Sequence, residues 1–270
     1  MTTKLKAIHS KTNPAVKALV KLAGSSRERR RTGTTLLEGE HLVRAYRDSG
    51  AVAETIFAGE SAFAVPQIRD LVENAPARER LLLADPLVAR ISQLVSASGV
   101  AAVVRAPQAG PIPASLPSCL LLEDIQDPGN LGSILRTAVA AGITHVFLSP
   151  GSVFAWAPKV IRAGMGAHFH LAIFENTDLQ AVARACSGRI VAMEPHAPGS
   201  LYELDLKGPV AWVLGNEGSG LSENARRIAT DRVRIPMPGS AESLNVAAAA
   251  AICLFEQIRQ RGVSTRVAPA

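Results

Sequence analysis

Between Ala106 and Ser118 the chain reads Ala-Pro-Gln-Ala-Gly-Pro-Ile-Pro-Ala-Ser-Leu-Pro-Ser. Its four prolines each fix φ and remove a backbone donor, so the stretch can be neither a regular helix nor a central strand. The 270 residues must therefore build their structure on either side of it. That leaves parts of about 105 and about 150 residues, both ordinary domain sizes. The expected division is a first domain over 1–105, a linker over 106–118, a second domain over 119–262 and a frayed tail to Ala270.

Composition narrows the class. Hydrophobic residues make up 47% of the chain and charged ones 19%, which supplies a packed core and excludes disorder as the main state. The longest apolar run, Val246 to Phe255, is too short to cross a bilayer as a helix. The opening Met1 to Lys6 is basic with no apolar segment behind it, so a signal peptide is not expected. Three widely spaced cysteines, Cys119, Cys186 and Cys253, suit a reducing cytoplasm and offer no disulfide framework or metal knuckle.

Charge is unevenly placed. Residues 1–47 hold 11 of the 29 basic side chains and 3 of the 23 acidic ones, so the first sixth carries +8 and the remainder −2. A local field of that sign points to a polyanion, with nucleic acid foremost, against the alternative of a merely solubilising surface. With only 4% aromatic residues a base-stacking platform is disfavoured, and contacts should run mostly to phosphate.

Both parts alternate strand and helix patterns, an α/β class. The first part predicts a helix from Asn13-Pro14 to Gly24, a basic loop Arg27–Arg31 and a helix over Glu40–Asp48. It predicts further helices near Pro66–Asn74 and Pro86–Val95, with strands at Thr34–Leu37, Glu54–Ala58, Arg80–Leu83 and Val100–Arg105. In the second part Cys119–Leu122 is continuously apolar, as a strand buried on both faces requires. Strands are also expected at His145–Ser149, His168–Phe174, Arg189–Met193, Val210–Leu214 and Arg232–Pro236. The matching helices are Leu131–Ala141, Pro158–Ala163, Leu179–Cys186, Glu223–Ala229 and Leu244–Arg261.

Three segments concentrate the chemistry. Asp127-Pro-Gly-Asn-Leu-Gly-Ser-Ile-Leu-Arg-Thr-Ala138 follows a strand and opens a helix, where open α/β sheets place ligands. Asn130 is a candidate cap, and Leu131, Ile134, Leu135 and Ala138 form the buried stripe. That stripe leaves Arg136 on another face. Val213-Leu-Gly-Asn-Glu-Gly-Ser-Gly-Leu221 places three glycines between a strand and a helix, a loop whose backbone can approach a ligand. It is not a phosphate-binding loop of the NTPase or dinucleotide type. Ile235-Pro-Met-Pro-Gly-Ser-Ala-Glu-Ser-Leu-Asn245 precedes five alanines that permit close backbone packing, with Ser243 as the expected cap. None of the six histidines has metal-ligand spacing, and no Gly-x-Ser-x-Gly elbow is present, so neither a metal site nor a hydrolase is expected.

These segments, in this order over about 119–261, resemble the three motifs of the SpoU (TrmH-like) RNA 2′-O-ribose methyltransferases of the SPOUT superfamily. Asn130, Gly132 and Arg136 fit the first, Gly215-Asn216-Glu217-Gly218 with Gly220-Leu221 the second, and Ser243-Leu244-Asn245 the third. Arg162-Ala163-Gly164-Met165-Gly166 is similar to a further family segment. The first part, including Glu38-Gly39, resembles the substrate-binding domain of longer members. The resemblance implies a C-terminal α/β domain with a deep trefoil knot and a smaller N-terminal α/β domain. It also implies a homodimer and S-adenosylmethionine as cofactor, held at Leu214, Gly215, Asn216, Gly218, Ile235, Met237, Ser243 and Leu244. Arg136, Asn130, Glu217, Ser243 and Asn245 would form the catalytic set. An arginine pKa above about 12 leaves Arg136 three open roles: base, polariser of the 2′-hydroxyl, or phosphate clamp. The RNA, ribosomal before transfer RNA, would be docked by Lys11, Lys17, Lys21, Arg27, Arg29, Arg30, Arg31 and Arg162. A catalytically silent RNA-binding protein of the same fold is the alternative from another class.

Overall fold

The computed structural model describes residues 4–92, 99–107 and 110–262. The chain forms two compact units, one of residues up to Pro107 with Trp156–Phe169, the other of Gln108–Ala155 with the residues from His170 onward. The first break falls at the head of the proline-rich stretch. The expected tail, the end of the helix placed at Pro86–Val95 and linker residues 108 and 109 lie outside the described residues.

In the first unit the elements run β1 (Leu5–Ile8), α1 (Pro14–Gly24), α2 (Ser26–Thr32), β2 (Thr34–Glu38), α3 (Glu40–Asp48), β3 (Ala53–Gly59), α4 (Glu60–Phe63), α5 (Pro66–Asn74), β4 (Ala77–Leu83), α6 (Asp85–Ile91) and β5 (Val100–Arg105). The sheet order is β1-β4-β3-β5-β2, with β5 antiparallel to both neighbours. β1 and the short α4 carry too little pattern to be read from sequence. The basic segment is a helix and not a loop: Ser25 caps α2 by accepting from the Glu28 N–H, and Gly33 ends it in the left-handed region. Helical spacing sends Arg27, Arg30 and Arg31 outward and turns Arg29 inward.

The second unit contains β6 (Cys119–Leu122), α7 (Pro128–Ala140) and β7 (His145–Leu148) before the chain passes into α8 (Pro158–Gly164). It resumes with β8 (Ala172–Phe174), α9 (Leu179–Ala183), β9 (Arg189–Met193), β10 (Gly199–Ser200), β11 (Val210–Leu214), α10 (Glu223–Ile228), β12 (Asp231–Arg234) and α11 (Val246–Arg261). All seven strands are parallel, in the order β10-β12-β9-β11-β6-β7-β8. Residues 167–170 form a 3-10 turn, so the expected strand over His168–Phe174 shrinks to its last three residues.

Two expectations about organisation change. Trp156–Phe169 packs in the first unit: Thr35 Oγ1 donates to the Trp156 carbonyl at 2.6 Å, Arg162 pairs with Glu38 at 3.1 Å, and Phe169 meets Tyr46 edge to face at 5.2 Å. The stretch 106–118 is also not linker throughout, because Leu116 is buried and bridges to Cys186 in parallel fashion. An apolar side chain in a proline-rich run can be buried without any repeating pattern to announce it.

Buried polar groups are placed with their partners. Gln257 of α11 accepts from Trp212 Nε1 at 3.1 Å and donates to Ser118 Oγ and the Gly208 carbonyl, fixing that helix against β11. Arg29 directs Nη1 to the carbonyls of Leu22 and Ala23, both at 2.8 Å, and so closes the C-terminus of α1. Removing a charged donor from carbonyls this buried costs roughly 1.5–3 kcal/mol. Arg29→Ala should lower stability by about that amount in urea melts.

Candidate active site

Three loops at the C-terminal ends of neighbouring parallel strands meet around one cavity of about 430 Å³, within the roughly 300–1,000 Å³ of small-molecule sites. β11 lies between β6 and β9, so the loops after β6 and β11 emerge side by side, and β12 adds a third beyond β9. Such an end of a parallel sheet is where open α/β folds bind ligands.

The loop after β11 is folded on itself. A Cβ at Gly215 would sit 2.6 Å from the Gly220 carbonyl group, so no other residue fits. Asn216 and Gly220 exchange backbone hydrogen bonds at 3.1 and 3.0 Å, with Gly220 at φ +68°. The Asn216 side chain accepts from the N–H groups of Gly218 and Ser219, each at 2.9 Å, and donates to the Asp124 carbonyl at 2.8 Å. Its amide therefore organises the loop that lines the cavity.

The expected caps are displaced by short distances. Asp127, and not Asn130, caps α7 by accepting from the Asn130 N–H at 2.8 Å. Asn245, and not Ser243, caps α11 by accepting from Ala247 and Ala248. In each case the proline or turn geometry starts the helix at a different residue from the one the hydrophobic pattern marks. The side chain of Asn130 is thereby released for other use. Its Nδ2 donates to Glu217 Oε1 at 3.0 Å, and its Oδ1 accepts from Asn245 Nδ2 at 2.8 Å. One amide relay thus joins all three sequence segments, from the α11 N-terminus through Asn245 and Asn130 to Glu217.

Glu217 also accepts from the N–H groups of Gln126 and Asp127 at 3.4 and 3.3 Å. Partial burial pushes its carboxyl upward, but the Asn130 amide and these backbone donors hold it on balance below the ordinary carboxylate range. It is ionised at neutral pH and acts as an acceptor that orients Asn130. A carboxylate held low is poorly matched to general-base work near pH 7.

The structure brings together Asn130, Leu214, Gly215, Asn216, Glu217, Gly218, Ile235, Met237, Ser243, Leu244 and Asn245 around the cavity. It does not bring Arg136 there. Arg136 is exposed on α7, and six residues of helix turn it about 120° away from Asn130 and about 9 Å along the axis. Sequence reasoning missed Met193 and Pro195, which form the wall contributed by β9. Their position just beyond a buried parallel strand was the available signal.

The residues fit an adenosyl group. Leu214, Ile235, Met237, Leu244 and Val246 give the cavity apolar walls, and the glycine loop, Ser243, Asn130 and Asn245 give it polar positions. Among the described residues no group of three His, Cys, Asp or Glu is placed to hold a metal ion, and no helix is long and apolar enough to cross a membrane.

The first unit sorts the basic candidates. Lys11, Lys17, Arg27 and Arg30 are exposed. Arg31 and Lys21 both bind Glu28, with Lys21 at 3.0 Å, and together they hold that carboxyl down to about 2. Two assignments change: Arg29 is turned inward onto α1 carbonyls, and Arg162 is ion-paired with the buried Glu38, which also accepts from Ser92. Arg29 is thereby taken off the phosphate-facing surface, while Arg162 keeps 25% of its side chain exposed beside its carboxylate partner.

Ionisation of Glu217 carries a stability consequence with a definite sign. A carboxyl whose folded pKa is depressed stabilises the fold above its unfolded value of about 4.3, and that contribution is lost as pH falls through the folded value. Glu217→Gln should therefore be less stable than the parent at pH 7 in urea melts, with the gap closing as pH drops below about 4.

Comparison with known proteins also divides the chain at the proline-rich stretch, although the match over the second part runs through Trp156–Phe169. Residues 117–255 match the model of the SpoU rRNA Methylase family, and residues 13–102 match the MRM3-like substrate binding domain. The chain is 33% identical over 258 residues to the 23S rRNA (guanosine(2553)-2′-O)-methyltransferase RlmP of Bacillus subtilis (strain 168), covering 93% of this chain and 98% of that one. The SpoU methyltransferase AviRb of Streptomyces viridochromogenes, solved in complex with AdoMet, superposes with a TM-score of 0.83 at 27% identity, covering 93% of this chain and 99% of that one. An rRNA methyltransferase from Sinorhizobium meliloti, also solved with AdoMet bound, gives 0.81 at 28% identity, covering 94% and 98%. This chain belongs to the SpoU rRNA methylase family.

Proposed function

We propose that this protein methylates a ribose 2′-hydroxyl of ribosomal RNA, with S-adenosylmethionine as methyl donor. The observation that carries the reading is the relay Glu217–Asn130–Asn245, which joins three distant segments at the rim of one cavity. The activities of the relatives, ribose 2′-O-methylation of 23S rRNA among them, support it.

The cofactor supplies an electrophilic methyl carbon on a sulfonium centre, so the protein's task is alignment of the attacking oxygen, worth ~7–11 kcal/mol when complete. Leu214, Gly215, Asn216, Gly218, Ile235, Met237, Ser243 and Leu244 would hold the cofactor. Asn130 and Asn245, with amides fixed at both ends, would orient the ribose, and Glu217 would keep Asn130 in register. Arg136 polarises the 2′-hydroxyl or clamps an adjacent phosphate, since a guanidinium does not surrender its proton at neutral pH.

Because Arg136 lies off the cavity of its own chain, it serves the cavity of a second copy in a homodimer. The same reading includes a trefoil knot in the second unit. The first unit docks RNA phosphates through Lys11, Lys17, Arg27 and Arg30 with Lys21 and Arg31. The same reading includes a cytoplasmic location, the compartment of ribosomal RNA in bacterial relatives such as that of Bacillus subtilis.

Two measurements test this. Arg136→Ala and Asn130→Ala should each lose most ribose methylation of ribosomal RNA, read by nucleoside mass analysis. Mixing the two should restore it, because the mixed dimer keeps one intact site; no recovery would place Arg136 in its own chain's site. Arg27→Ala should weaken RNA binding and reduce the slope of log K against log salt by roughly 0.7–0.9. An unchanged slope would remove that arginine from the phosphate contacts.

A further inference from the structure

We infer that Glu123 is a positioning residue of the cofactor site, holding the return arm of the Gly215–Gly220 loop through Ser222. The inference rests on the reading of the cavity as the S-adenosylmethionine site and names a residue outside the three motifs.

Glu123 directly follows β6, and its N–H donates to the Leu214 carbonyl at 2.9 Å, extending the β6–β11 pairing by one step. Its carboxylate is then directed at the far end of the glycine loop. Oε1 accepts from Ser222 Oγ at 2.6 Å and Oε2 accepts from Ser222 N at 2.7 Å. Two bonds this short to one carboxyl group hold Ser222 firmly at the end of the loop. Ser222 in turn caps α10 by accepting from the Ala225 N–H at 3.1 Å.

The loop is consequently held at three points. β11 fixes its start. Asn216 donates to the carbonyl of Asp124 in its middle, and Ser222 donates to Glu123 at its end. The second and third anchors belong to adjacent residues of the β6–α7 connection, so one strand end sets both arms. Asp124 sits at φ +52°, which aims its carbonyl at Asn216. Its N–H donates to Ser149 Oγ at 2.8 Å.

Glu123 does not line the 430 Å³ cavity. It faces a neighbouring one of about 310 Å³, together with Ser149, Asp178 and Ser222. It therefore acts on the cofactor through the loop. A loop held in its binding shape before the ligand arrives spares the ligand the cost of ordering it, which appears in affinity more than in turnover.

The test is titration calorimetry of the full chain with S-adenosylmethionine, paired with steady-state kinetics and thermal melts. Glu123→Ala, which removes both bonds, should raise Kd and the cofactor KM about tenfold with kcat at saturation nearly unchanged, the pattern of lost ground-state binding. Ser222→Ala, which leaves its backbone N–H on Glu123, should raise them by less. The double variant should bind no more weakly than Glu123→Ala, because the Ser222 hydroxyl has no acceptor left once the carboxylate is gone. Glu123→Gln, which retains one acceptor oxygen, should fall between. Asp178→Ala, which removes the α9 cap beside the same neighbouring cavity, should bind like the parent.

Parent-like Kd in Glu123→Ala, multiplicative losses in the double variant, or equal weakening by Asp178→Ala would overturn the inference. If Glu123→Ala fails to fold, Ser222→Ala and Glu123→Gln carry the comparison. A parent protein that does not bind S-adenosylmethionine would instead sink the reading of the cavity.

Discussion

The placement of β11 between β6 and β9 is the constraint on which the second unit depends. The strand pairs in parallel on both sides, Leu214 with Leu122 and Val213 with Ala192. It is buried along its whole length, with Trp212 fully enclosed and tied to Gln257 of α11. An apolar strand with neighbours on both edges has no freedom of register, since a shift of one residue would exchange its two faces. Because the register is rigid, the loops leaving β6 and β11 emerge at the same height. That coincidence lets Asn130 reach Glu217 and lets Glu123 and Asp124 reach the glycine loop. The cavity follows from strand order before any ligand-binding side chain is considered.

Within that frame, several partly buried carboxylates are each held by named partners. Glu217 remains ionised because it gathers an amide and backbone donors, which favours an orienting role over a proton-accepting one. Glu194, just beyond β9, is bonded to both Arg226 and Arg232, and its neighbours Met193 and Pro195 line the cavity. Glu28 draws Lys21 and Arg31 together on the basic surface of the first unit. These carboxylates order cationic or amide side chains, and catalysis by alignment requires that order more than it requires a reactive base.

Much of this was legible in the residues. Cys119–Leu122, Val210–Leu214, Arg189–Met193 and Val100–Arg105 coincide with strands of the structure, because continuous apolar runs of that length have few other uses. The three chemistry-bearing segments were legible from glycine, proline and asparagine placement, and they do converge. What escaped reading was decided by single contacts. The start of α7 was set by Asp127 and that of α11 by Asn245, each competing with a nearby polar residue of similar capping ability. The burial of Arg29 and the pairing of Arg162 with Glu38 were invisible in a charge count, since a cation bonded to carbonyls or to a buried carboxylate looks the same in sequence as one facing solvent. Arg29 was recoverable from period alone once the basic segment is taken as helix, as it falls opposite Arg27, Arg30 and Arg31.

Trp156–Phe169 lies in sequence between β7 and β8 yet packs in the first unit, with Trp156, Val160 and Ile161 buried. As the chain leaves the ribosome, the amino-terminal body must wait for residues made well after the proline-rich stretch. At that moment β9, β11 and β12 have yet to be synthesised. The first body is therefore completed only after synthesis has run well into the second, unlike a strict domain-by-domain order. Proteolytic separation at the prolines would leave one half with an unfilled groove and the other with an unburied tryptophan.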